Sequence, residues 1–128
     1  MKSKAISLYI VLFFLCSFSS RASFVLLPME AEGQQNHLKA YGITYWALDK
    51  SYKVSWLLNY RGGSFLLPDA PEIRKECQIR GVSFEVLTDG ATAAILEEIS
   101  SPSQNMETVV LEKAPKIAVY TPKGKQPW

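Results

Sequence analysis

Arg61-Gly62-Gly63-Ser64 is the stretch whose residue types come closest to a binding site. Paired glycines let backbone N–H groups approach an anion, an arginine adds charge, and a serine adds a further hydrogen-bond donor. The same residues also suit a tight hairpin turn. Two glycines tolerant of positive φ lie between apolar runs, no Walker-type spacing surrounds them, and no strong helix begins at Ser64. The turn is the simpler reading, and under it Arg61 is an exposed side chain with little bearing on stability. Tyr45, Trp46, Trp56 and Tyr60 could line an aromatic ligand pocket, although aromatic residues on adjacent strands more often pack a core or pair across strands.

Nucleophilic and acid–base chemistry finds few residues to use. Cys77 falls in a helical pattern without an evident base, which suits a small core residue better than a nucleophile. His37, the one histidine, ends the polar stretch Gly33 to His37 and reads as a solvated loop residue. With no second His or Cys beside either, no metal site is expected and no cofactor is implied. Glu97 and Glu98 are helix neighbours pointing about 100 degrees apart, so they do not converge on one substrate. No Gly-x-Ser-x-Gly elbow occurs. Lys113, Lys116, Lys123 and Lys125 suit an interdomain connection, with an anion or membrane surface as the alternative.

The N-terminus gives an address. Lys2 and Lys4 precede an apolar run from Ala5 to Leu15, followed by Ser17 to Ser20 and the small pair Ser20-x-Ala22, the layout of a secretory signal peptide cleaved before Ser23. The run is short for a bilayer span. Leu15 occupies the place where a lipoprotein signal wants a small residue before Cys16. An uncleaved anchor extending through Phe24 to Leu27 would bury Arg21, at a cost of up to about 2.5 to 3.5 kcal/mol. The expected location is therefore periplasmic or secreted, with membrane contact only if the signal is retained.

Of fourteen Lys and Arg residues, three leave with the signal, whereas all twelve Asp and Glu residues stay. Eleven positive against twelve negative charges give no electrostatic case for nucleic acid. Only Cys77 remains, so no intramolecular disulfide can form and stability must come from packing.

The elements that would position these residues read as follows. A linker covers residues 23–37, its polar part running from Glu30 to Asn36. Alternation of Tyr41, Ile43, Tyr45 and Ala47 with their neighbours predicts a strand, Val54 to Tyr60 a second, and Ser64 to Leu67 a third, joined as antiparallel hairpins. Asp69 and Glu72 at capping-box spacing, Pro71 in the first turn and Gly81 as a stop predict a helix over Ala70 to Arg80. Val82 to Val86 reads as a strand, and a helix capped by Thr88 or Asp89 runs through Ile99 until Pro102. Strands follow at Glu107 to Lys113 and Ile117 to Tyr120. The class is α+β, a small antiparallel hairpin sheet with two helices over residues 38–113. Residues 114–128 then enter the first strand of a truncated α/β domain.

Three stretches carry a resemblance: His37-Leu38-Lys39-Ala40-Tyr41-Gly42, Trp56 through Phe65 with its Asn59-Tyr60-Arg61-Gly62-Gly63-Ser64 core, and Lys113 through Pro122. They resemble the N-terminal part of a family of exported bacterial proteins commonly named asparagine synthetase B. The likeness covers nearly all of the chain after residue 22. It implies a longer α/β domain downstream, similar in style to class I glutamine amidotransferases. Glutamine-dependent synthetases use an N-terminal Cys uncovered by removal of the initiator Met, but Lys2 stands there, and signal cleavage exposes Ser23. Their Ser-Gly-Gly-x-Asp-Ser type ATP loop shares only the paired glycines with Arg61 to Ser64. No synthetase residue carries over. The expectation is a non-catalytic exported module whose partner is a downstream domain of the same protein or a small-molecule ligand. The alternative is an amidotransferase whose catalytic residues lie beyond Trp128.

Overall fold

The computed structural model describes residues 22–118. Within them run β1 (Ala22–Leu27), α1 (His37–Asp49), β2 (Val54–Leu58), β3 (Phe65–Pro68), α2 (Pro71–Arg80), β4 (Glu85–Thr88), α3 (Asp89–Ser100) and β5 (Glu107–Leu111). The strands form one sheet in the order β4-β1-β3-β2-β5, with every neighbouring pair antiparallel. β1 and β2 therefore run the same way with β3 between them, and β3 and β4 run the same way with β1 between them. These interleaved split βαβ units make a ferredoxin-like arrangement, which α3 and β5 extend with a strand beside β2. The α+β class and the open antiparallel sheet are as expected.

Period-two alternation sorts the strands onto two cores. Val25, Leu27, Val54, Phe65 and Leu67 face one way, against Ala40, Ile43, Ala47 and Leu48 of α1 and Ile73 and Cys77 of α2. Leu26, Leu57 and Leu66 face the other way, against Ile95 and Ile99 of α3. Both faces of the central strands are thus covered by helix.

Two expectations are overturned by this layering. Tyr41 to Ala47 is helix, not strand. Ala40, Ile43, Ala47 and Leu48 fall at i, i+3, i+7 and i+8 and make one buried stripe. Fully burying a side chain such as Ile43 is worth about 1.5–3 kcal/mol, more than the penalty of under about 0.7 kcal/mol that a β-branched or aromatic residue brings to a helix. Residues 23–37, expected as a linker, contain most of β1, where Val25, Leu26 and Leu27 are all fully buried. A strand covered on both faces reads as an unbroken apolar run. The expected signal peptide lies outside the described residues except for Ala22, the first residue of β1.

Smaller differences follow the same logic. α2 begins as expected with Pro71 in its first turn, but its N-cap is Ala70 without a side-chain bond. Asp69 instead pairs with Arg74 Nε at 3.0 Å, and Glu72 accepts from the Tyr52 hydroxyl. Gly81 ends α2 at φ 65°, and Val82 N–H donates to Cys77 O at 2.9 Å, a Schellman closure. Thr88 caps α3 by accepting from Ala91 N–H at 3.2 Å. α1 makes a third helix where two were expected. Residues 114–118 form no strand and Ile117 is exposed, so the start of the expected Ile117 to Tyr120 strand is absent. Residues 119–128, including Lys123 and Lys125, lie outside the described residues.

Candidate functional site

β1 and β2 end, and β3, β4 and β5 begin, at the same end of the sheet. Four connections therefore meet there: Pro28 to Asn36 after β1, Asn59 to Ser64 between β2 and β3, Gly81 to Phe84 before β4, and Ser101 to Met106 before β5. The second of them carries the Arg-Gly-Gly-Ser candidate. Its backbone is left-handed at Asn59 (φ 60°), Arg61 (φ 43°), Gly62 (φ 79°) and Gly63 (φ 85°). Gly62 is obligatory for a second reason, since a Cβ there would lie 2.6 Å from Glu30 N and from Met29 C and O. The close approach is held by Met29 N–H donating to Arg61 O at 3.1 Å.

The turn consumes the groups an anion would need. Gly63 and Ser64 N–H both donate to Tyr60 O at 3.0 Å, and the buried Ser64 hydroxyl donates to Arg61 O at 3.0 Å. Arg61 Nε donates to Glu30 Oε1 at 2.8 Å, while Nη1 and Nη2 donate in a fork to Glu85 at 3.0 and 2.8 Å. Nη2 lies a further 2.7 Å from Glu30 Oε1. The two carboxylates hold the guanidinium proton more firmly than water does, raising its pKa against a smaller opposing effect of burial. Two carboxylates facing one guanidinium repel a further anion. The arrangement is a clasp tying two connections to the first residue of β4, and Arg61 is not the free surface side chain a simple hairpin implies.

Behind the clasp, Gln34 is buried with both amide atoms engaged. Nε2 donates to Ser83 O at 3.1 Å and Pro28 O at 3.3 Å, and Oε1 accepts from Ser83 N at 3.1 Å and Asn36 N at 3.3 Å. Asn36 Nδ2 donates to Gly81 O at 2.6 Å. His37 is the first residue of α1 and donates from Nε2 to Met29 O at 3.1 Å, so it is a part-buried tether rather than a solvated loop residue. Glu30, Gln34, Ser83 and Glu85 were not legible as site residues. They lie in short polar stretches far from Arg61 in sequence, and no local spacing links them.

The four aromatic candidates do not converge. Trp46 packs half-buried against the α1 core, and Tyr60 packs against the α3 core on the opposite face. What forms instead is a row on α1. Leu38, Tyr41 and Tyr45, at i, i+3 and i+7, are 86%, 51% and 43% exposed. Tyr41 meets Phe65 edge-on at 5.7 Å, and Phe65 stacks on the part-exposed Trp56 at 6.1 Å, so ring contacts run from the helix to the sheet through the buried Phe65. Trp56 Nε1 donates to Gly63 O at 3.1 Å, fixing the indole against the turn.

Cys77 is fully buried, and burial pushes its thiol up to about 11. Glu97 and Glu98 are exposed neighbours on α3. An open groove of about 580 Å³ lies over the α3–β5 connection, with Leu58, Ile99 and Met106 lining it beside Ser101 and Asn105. Among the described residues no three His, Cys, Asp or Glu side chains gather as a metal site, and no helix is long and apolar enough to cross a membrane. In comparisons with known proteins, no family model matches the chain, and neither a curated protein nor a solved structure is measurably similar to it.

Proposed function

We propose that the chain is an exported, non-catalytic module of a protein similar to those named asparagine synthetase B, and that it works by packing against a further domain of the same polypeptide. The observation that carries this reading is the exposed row Leu38, Tyr41 and Tyr45 on α1, with Trp56 part-exposed on the sheet across the buried ring of Phe65. Exposed apolar surface rich in Tyr and Trp is the composition of interaction surfaces. The chemistry-bearing residues support it from the other side: Arg61 is held by two carboxylates and Cys77 keeps its proton inside the core. Packing is therefore better supported than capture of a small ligand at Arg61 to Ser64.

The test uses the longer polypeptide. Tyr41→Ser with Tyr45→Ser costs the isolated chain the Tyr41–Phe65 edge contact and the buried part of each ring, about 1–2 kcal/mol, and the effect in the longer protein is read as the loss beyond this baseline. In the longer protein the same pair should lower the unfolding temperature of this module further, by uncoupling it from its neighbour. A loss there no greater than the baseline contradicts the reading. Export has its own check, since the mature N-terminus found by mass spectrometry should be Ser23, and a dominant species retaining Met1 contradicts it.

A further inference from the structure

The two edges of the sheet are built differently. β4 is a four-residue edge whose pairing with β1 shifts register between Ala22 and Phe24, and its first residue, Glu85, is clasped by Arg61. A short, irregular, charge-tethered edge resists further pairing. β5 pairs in unbroken register with β2 from Glu107 to Leu111, and among the described residues no strand lies on its other side. Its centre, Thr108-Val109-Val110, carries no charge, proline or bulge, and Val110 is 56% exposed.

The sequence of this edge is complementary to itself. We propose that a second copy of the chain docks on β5 antiparallel, about a two-fold axis through Val110, continuing the sheet across both copies. In that register Val110 lies opposite itself and Val109 opposite the second copy's Leu111 within the strand, and Glu112 and Lys113, which follow the end of β5 at Leu111, come opposite Thr108 and Glu107 once docking draws them into line with it. Centring the axis one residue either way, on Val109 or Leu111, loses the Glu–Lys match. Neither Glu107 nor Lys113 has an ion-pair partner among the described residues. Residues directly opposite share a face, so Val109 and Leu111 extend the apolar surface beside Trp56 and Val54, to which they are paired within the chain. Main-chain bonds along the edge supply affinity, and the charges at its ends set direction and register. Such a closed two-fold contact leaves no free edge of this kind.

Sedimentation equilibrium of the exported chain tests the proposal, with the expected result a reversible dimer of twice the chain mass. Val110→Lys places two ammonium groups on the axis and should yield a monomer whose melting temperature equals that of the wild type diluted below its dissociation constant. Glu107→Lys sets lysine against lysine at two symmetry-related places and should weaken dimerisation about fivefold or more. Adding Lys113→Glu to it should restore the wild-type constant. A monomer at hundreds of micromolar overturns the proposal, whether the edge is bare or its amides are shielded from hydrogen exchange by other parts of the polypeptide. So does a dimer indifferent to Val110→Lys, or a charge swap that fails to restore association.

Discussion

Gln34 and Ser83 bond each other as two facing backbone residues do in a sheet: the side-chain amide of one donates to the carbonyl and accepts from the N–H of the other, both at 3.1 Å. The pair joins the connection after β1 to the connection before β4, across 49 positions of sequence. Gln34 is buried, and its amide also bonds Pro28 O and Asn36 N–H, so one side chain settles four main-chain groups.

Gln34→Ala should therefore cost about 2 kcal/mol or more, because the buried groups it served lose their partners and each unsatisfied one costs about 1–3 kcal/mol. Urea unfolding checks this through the midpoint at unchanged slope. A loss under about 0.5 kcal/mol, the usual surface value, would show that water replaces the amide freely.

The glycines separate close approach from conformational freedom. Gly62→Ala drives a Cβ to 2.6 Å from the Met29 and Glu30 backbone at a left-handed φ, and should cost more than Gly63→Ala, whose added Cβ meets only Trp56 Nε1 at 3.4 Å. Gly90, with nothing within 4 Å of its added Cβ, lies in the first turn of α3, and Gly90→Ala should stabilise by up to about 1 kcal/mol. Thermal unfolding of the three variants should rank them in that order.

Arg61→Ala leaves Glu30 and Glu85 facing each other without their cation. A loss of about 1.5–3 kcal/mol is expected, the range for hydrogen bonds to charged groups, together with faster hydrogen exchange in Met29 to Gln34. Inorganic phosphate should not raise the melting temperature of the wild type, since the guanidinium is occupied. A phosphate-dependent rise that vanishes in Arg61→Ala would establish the anion site instead.

Cys77 contributes an alkaline pH dependence, alongside Tyr52 and Tyr60, whose hydroxyl pKa values are also raised, by the Glu72 hydrogen bond and by burial respectively. Its folded pKa, pushed by burial from 9.0 up to about 11, means that the folded state keeps a proton the unfolded chain releases. Its contribution to stability is complete below pH 9 and is lost as pH rises through about 11. Cys77→Ala should flatten that alkaline decline, and alkylation of the Cys77 peptide in wild type at pH 8 should proceed only at the rate of unfolding. Fast alkylation of folded protein would place the thiol outside the core.

Local signals made much of the fold legible. Val54 to Leu58 carries a partial period of two, Phe65 to Leu67 is an apolar run bounded by turn residues, Gly81 supplies a left-handed stop, and Thr88 caps the helix that follows. α1 was hidden because Tyr41, Ile43, Tyr45 and Trp46 carry strand-forming side chains, although Ala40, Ile43, Ala47 and Leu48 already held the helical period. β1 was hidden because a strand buried on both faces has no polar phase, and Phe24 to Leu27 adjoin the expected signal peptide, which accounts for apolar residues in another way. The Arg61 turn could be read from its glycines. Its carboxylate partners could not, because Glu30 and Glu85 reach it only once β4, β1 and β3 are set side by side.

Oxidative footprinting of Tyr41 and Tyr45, in the isolated chain and in the longer polypeptide, tests the central claim most directly. The account predicts that both are modified readily in the isolated chain and are protected severalfold in the longer protein, with Tyr52 near the other end of the sheet modified equally in both. Equal modification of Tyr41 and Tyr45 in the two samples would contradict it.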